Sequence, residues 1–131
     1  MIRRFHAAAT LFALVSCLVL TGSALAGEAE TDQAETPALR RAEPQLVCMV
    51  NDRLFDKQQI PVEVENRTYY GCCQMCKQAL TERPELRAAN DPVSGKPVDK
   101  AKAVIGALAD GSVLYFESEK TFAEYSKKLE R

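Results

Sequence analysis

The chain has 131 residues, 17 Lys and Arg against 18 Asp and Glu, and a net charge of -1, which leaves room for one small domain and excludes a second large one. Its basic residues are scattered instead of forming a stripe, so nucleic acid is not an expected partner. It holds a single histidine, His6, and no Trp, so the chain beyond residue 6 has no imidazole for metal binding or general-base chemistry.

The first 26 residues read as an export signal. Arg3 and Arg4 give a positive start, Ala7 to Leu20 is apolar, and Ala24-Leu25-Ala26 offers small residues at a cleavage site. The apolar run is shorter than the roughly 20 residues of a spanning helix, so the mature chain, from Gly27, is expected to be periplasmic or exported with no membrane span. Leu14-Val15-Ser16-Cys17 offers the alternative of a lipoprotein anchored at Cys17. Without Arg3 and Arg4 the net charge becomes about -3.

Residues 27–45 mix Glu28, Glu30, Asp32 and Glu35 with Ala, Thr and two prolines, a pattern that buries no face and predicts a flexible acidic linker. The domain is expected over residues 46–131, beginning at the apolar run Leu46 to Val50. Two units follow each other in it, residues 46–88 and 89–131. The first opens at Cys48-Met49-Val50-Asn51-Asp52, alternates through Ile60, Val62 and Val64, turns at Glu65-Asn66-Arg67, and runs through Thr68-Tyr69-Tyr70 into a helix from about Cys73 to Arg83, stopped by Pro84. The second opens at Asp91-Pro92-Val93-Ser94-Gly95, runs through Ala103-Val104-Ile105, turns at Asp110-Gly111, and continues as Val113 to Phe116 into a helix capped by Ser118. Phe122, Tyr125 and Leu129 give that helix an apolar face. The fold class is therefore α+β, two small β-hairpin-plus-helix units packed as one domain. Aligning Tyr70 with Tyr115 sets Cys72, Cys73 and Cys76 opposite Glu117, Ser118 and Thr121, so the second unit carries no thiol.

Cys48, Cys72, Cys73 and Cys76 are the candidate metal ligands. A helix start brings Cys76 to the same side as Cys72 or Cys73, and its free N–H groups favour the thiolate. Adjacent cysteines do not easily fill two corners of one tetrahedron, so the set is either Cys48, Cys72 and Cys76 or Cys48, Cys73 and Cys76. Sulfur donors suit copper(I) or zinc, with Met49 and Met75 as auxiliary ligands or packing residues. Two other readings use the same thiols. A disulfide from Cys48 to Cys72 or Cys73, or a closed structural zinc site, would staple an interaction module, and Cys73-Gln74-Met75-Cys76 would serve a thiol-disulfide oxidoreductase.

Tyr69-Tyr70-Gly71-Cys72-Cys73-Gln74-Met75-Cys76, with Cys48 upstream, resembles the TRASH and YHS family of small heavy-metal-associated domains. Asp91-Pro92-Val93-Ser94-Gly95 is similar to the YHS opening, with Ser94 at its cysteine and Lys96 at its methionine. The resemblance implies treble-clef-like units, one live and one degenerate. It also implies a non-enzymatic periplasmic metal-binding protein or metallochaperone, with a metal transporter or another metalloprotein as its partner.

Overall fold

The computed structural model describes residues 38–131, so the expected signal segment, Cys17 and residues 27–37 of the linker lie outside it. In chain order the elements are β1 (Leu39–Arg41), a 3-10 turn at Pro44–Leu46, β2 (Val47–Cys48), β3 (Arg53–Leu54), β4 (Ile60–Val64), β5 (Arg67–Gly71) and α1 (Gln74–Glu82). A second 3-10 turn at Pro84–Arg87 leads to β6 (Ala88–Asn90), β7 (Pro97–Asp99), β8 (Val104–Leu108), β9 (Val113–Phe116) and α2 (Glu119–Leu129). The α+β class holds, built from short antiparallel pairs and two helices.

The two halves repeat one order: a short ladder around a loop (β2 with β3, β6 with β7), a hairpin (β4 with β5, β8 with β9), then a helix. Alternation sets the hairpin faces. Val62 and Tyr69 stand opposite each other in the β4–β5 register and are each 2% exposed, while Pro61 and Glu63 face water. The turn of that hairpin is carried by Glu65 and Asn66, both at positive φ (51° and 61°), as a two-residue loop requires. The β8–β9 turn differs from the tight Asp-Gly form expected. Only Gly111 has positive φ (82°), Leu108 N–H donates to Ser112 O at 2.9 Å, and Asp110 accepts from Ser112 N–H, a three-residue loop closed by glycine.

Regular structure is also present upstream of the expected boundary at Leu46. Residues 39–41 pair with β8 as Leu39↔Leu108 to Arg41↔Gly106, and Leu39 is buried. Gly106 permits this approach, because a Cβ there would lie 2.8 Å from Leu39 Cδ1 and 3.0 Å from the rings of Phe116 and Phe122.

The core joins residues of both halves, among them Val47, Met49, Val62, Leu80, Ile105 and Tyr115. Helix α1 contributes Cys76 and Leu80, four apart on one face. Helix α2 is docked by Phe122 and Tyr125, whose rings lie 5.4 and 5.7 Å from that of Phe116. Leu129, expected on the same face, is exposed instead. Among the described residues no helix is long and apolar enough to cross a membrane.

Candidate metal centre

Cys48 ends β2 and opens the loop to β3, Cys72 and Cys73 lie at the junction between β5 and α1, and Cys76 is in the first turn of α1. Met49 N–H donates to Tyr70 O at 2.9 Å, which lays the loop beside the end of β5. Gly71 then brings the chain against the first turn of α1, where a Cβ would sit 2.9 Å from Cys76 Cβ. Cys73 is the N-cap of α1. Its backbone is extended (φ -154°, ψ 172°), and its Sγ accepts from Cys76 N–H at 3.4 Å.

This arrangement brings together the first of the two expected sets. The sulfurs of Cys48, Cys72 and Cys76 lie within 4.8 Å of one another, with 3.9 Å from Cys48 to Cys76 and 3.6 Å from Cys72 to Cys76. Sulfurs bound at ~2.3 Å to one ion stand about 3.8 Å apart in a tetrahedron and about 4.0 Å apart in a trigonal plane, so the trio matches a shared ion. Among the described residues all four cysteines are free thiols. Cys48 and Cys76 are buried, Cys72 is partly covered, and Cys73 is exposed with its Sγ 3.4 Å from that of Cys76. Cys73 thus stands at the rim of the cluster, spent on capping the helix. Of the two methionines, Met49 is fully buried in the core and Met75 is 81% exposed.

The thiols divide electrostatically. Burial pushes Cys48 up, but the N–H groups of Asn51, Val50 and Cys72 directed at its sulfur outweigh that and hold it below the ordinary thiol value. Cys73 is also lowered, first by the Cys76 N–H. Cys76 is pushed up to about 12 by burial and by its hydrogen bonds to Cys73 and Cys72. Cys72 is raised, chiefly through its hydrogen bond to Cys48, and Asn51 Nδ2 approaches its sulfur at 3.6 Å. Of the trio Cys48 therefore gives up its proton most readily, and Cys72 and Cys76 hold protons that a soft cation must displace.

The equivalent place in the second half is filled by a carboxylate. Asp91, 1% exposed, accepts from Val93 N–H (2.7 Å), Ser94 N–H (3.1 Å) and Glu117 N–H (2.8 Å). These donors match the Val50, Asn51 and Cys72 N–H groups that surround Cys48. Asp52 and Gly95, each four residues on, both have positive φ. Ser118 caps α2 as Cys73 caps α1, accepting from Thr121 N–H at 3.3 Å. Asp91, not Ser94, is thus the counterpart of Cys48, and its oxygens are occupied by internal donors. Sequence reasoning passed over Asp91 as a site residue, although its place at the opening of the second unit marked it.

Comparison with protein-family models, with curated proteins and with solved structures gave no match. The site defines the chain as a protein with a three-cysteine cluster able to hold a metal ion.

Proposed function

We propose that this chain is an exported, non-catalytic carrier or scavenger of a soft metal ion, copper(I) or zinc, that works in the periplasm. The observation that carries the reading is the convergence of the Cys48, Cys72 and Cys76 sulfurs within 4.8 Å. Three thiolates with no imidazole suit copper(I) in a trigonal site, while zinc would take a fourth donor such as water or Cys73. Burial of Cys48 and Cys76 shields the ion, and the exposed Cys73 offers a sulfur through which it passes to a thiol-bearing acceptor, a metal transporter or another metalloprotein. The segment Tyr69 to Cys76 supports the same reading through its resemblance to TRASH and YHS domains, with the first half as the live treble-clef-like unit and the second as the degenerate one. Anaerobic titration of wild type and Cys76→Ser with copper(I) and zinc, against a competing chelator, tests it. The variant is expected to lose most of its metal, and unchanged binding would refute the proposal.

One observation favours a second reading. An exposed Cys73 with a lowered pKa stands 3.4 Å from a buried Cys76 with a raised one, the disposition of an attacking and a resolving thiol. Cys73 thiolate would open a substrate disulfide, and Cys76 would then release the mixed disulfide, leaving a Cys73–Cys76 disulfide and two substrate thiols. Turnover of a small disulfide with a dithiol reductant would establish this activity, and its absence would dismiss it.

A further inference from the structure

The loop that carries Cys48 is held from the far half of the chain by a buried cation. Lys100 follows β7 and its side chain is only 5% exposed. Its Nζ donates to Met49 O at 2.7 Å and to Asp52 Oδ1 at 2.6 Å, and it lies 4.9 Å from the centre of the Tyr115 ring. Tyr115 O–H donates to the same Asp52 oxygen at 2.9 Å. Met49 and Asp52 bracket the N–H groups of Val50 and Asn51 that point at the Cys48 sulfur. Asp52 also has positive φ (51°), a conformation its position in the loop demands and an aspartate tolerates when its carboxylate is fixed.

A buried ammonium loses its hydration, and an apolar side chain in its place would serve packing alone at least as well. What Lys100 adds is direction. Its two hydrogen bonds both end on the five-residue stretch that begins with Cys48, and neither ends within its own half. The half that supplies Lys100 is closed without an ion, because Asp91 satisfies there the donors that Cys48 satisfies in the first half. The half that supplies Lys100 therefore needs no ion to satisfy its own loop donors.

We propose that Lys100, acting with Asp52, is a positioning residue of the metal centre. It fixes the Cys48 loop against β5 so that the three sulfurs are gathered before an ion arrives, and the ion enters and leaves without folding or unfolding the chain. This rests on the reading of the cysteines as a metal carrier's site and says which residues outside the cluster set its affinity. Removing such support typically weakens metal binding about 10–100-fold.

The test compares wild type, Lys100→Met, Lys100→Arg and Tyr115→Phe. Copper(I) affinity is measured by competition and cobalt(II) absorption reads coordination geometry, both at a temperature where circular dichroism shows each protein folded. Lys100→Met is expected to weaken copper(I) about tenfold or more and to alter the cobalt(II) ligand-field bands, with Lys100→Arg recovering most of the loss. Tyr115→Phe, which keeps the ion pair and loses one hydroxyl, is expected to weaken binding by about threefold and covers the case in which Lys100→Met does not fold. Wild-type affinity and spectrum in folded Lys100→Met, or in Tyr115→Phe should the former not fold, would overturn the positioning role and leave the carrier reading intact. Failure of wild type itself to take up either metal would overturn both.

Discussion

Cys48 and Asp91 occupy the same place in the two halves of this chain: each opens a loop whose second and third following residues aim their N–H groups at its side chain, with a further N–H arriving from the start of the helix segment. A cysteine sulfur in one half and a carboxylate in the other answer the same set of donors, and only the cysteine has sulfur neighbours.

Asp91→Ala should therefore unfold the second half more readily, leaving buried N–H groups unpaired at a loss of about 2–4 kcal/mol. The same group predicts acid lability. Burial pushes Asp91 up, but its hydrogen bonds from Thr121, Glu117, Ser94 and Val93 prevail and hold it below its ordinary value of 3.8. Its contribution is thus complete above 3.8 and is lost as pH falls through the lowered folded value. Urea unfolding of wild type and Asp91→Ala between neutral and low pH checks both, and equal stability of the two proteins at neutral pH would contradict the assignment.

Cys73 and Cys76 should respond differently to serine. Cys73→Ser keeps a capping oxygen at the start of α1 and removes no member of the trio, so equilibrium affinity should change by less than about threefold. Transfer to a thiol acceptor should slow by about tenfold or more, because the exposed relay sulfur is gone. Stopped-flow transfer alongside equilibrium competition separates the two effects.

Gly71→Ala should damage the site from outside it. The added Cβ meets Cys76 Cβ at 2.9 Å and the backbone of Cys76 and Lys77 at 3.2 and 3.3 Å, atoms with no free rotor to yield. The expected loss is about 1–3 kcal/mol of stability, together with weaker metal binding as α1 shifts away from Cys48. Thermal unfolding with and without metal reads both.

Metal affinity should rise with pH. Cys76, pushed up to about 12, and Cys72, also raised, keep their protons across the neutral range and must release them to bind. Competition titrations from pH 6 to 8 should give log affinity rising by about two or more per pH unit. Without metal the sign reverses for stability. Above the ordinary thiol value of 9.0 the unfolded chain ionises while folded Cys76 holds its proton, so the metal-free fold weakens as pH rises towards about 12. A slope near zero would show that the sulfurs are not the proton source.

Much of the architecture is legible from local sequence signals. Alternation at Ile60, Val62 and Val64 gave the first hairpin, Ser118 the cap of α2, and Pro84 the end of α1, because each acts within a few residues of itself. The cysteine cluster is legible for the same reason, three of its thiols falling within five residues. What is hidden depends on distant partners. Leu39–Arg41 lacks a strand signature and becomes one only by pairing with β8, more than sixty residues on. The choice of Cys72 over Cys73 turns on which residue caps α1, since the extended backbone of Cys73 directs its sulfur back to the Cys76 N–H. Lys100 reads as one more surface charge until the fold sets it on Met49 O and Asp52.

The most direct test is to purify the protein anaerobically and measure bound metal and alkylatable thiols on one sample, before and after chelation. The account predicts one soft metal ion per chain, with Cys48, Cys72 and Cys76 protected from alkylation until the ion is removed. Absence of metal uptake, with the thiols either fully reactive or already joined in disulfides, would contradict it.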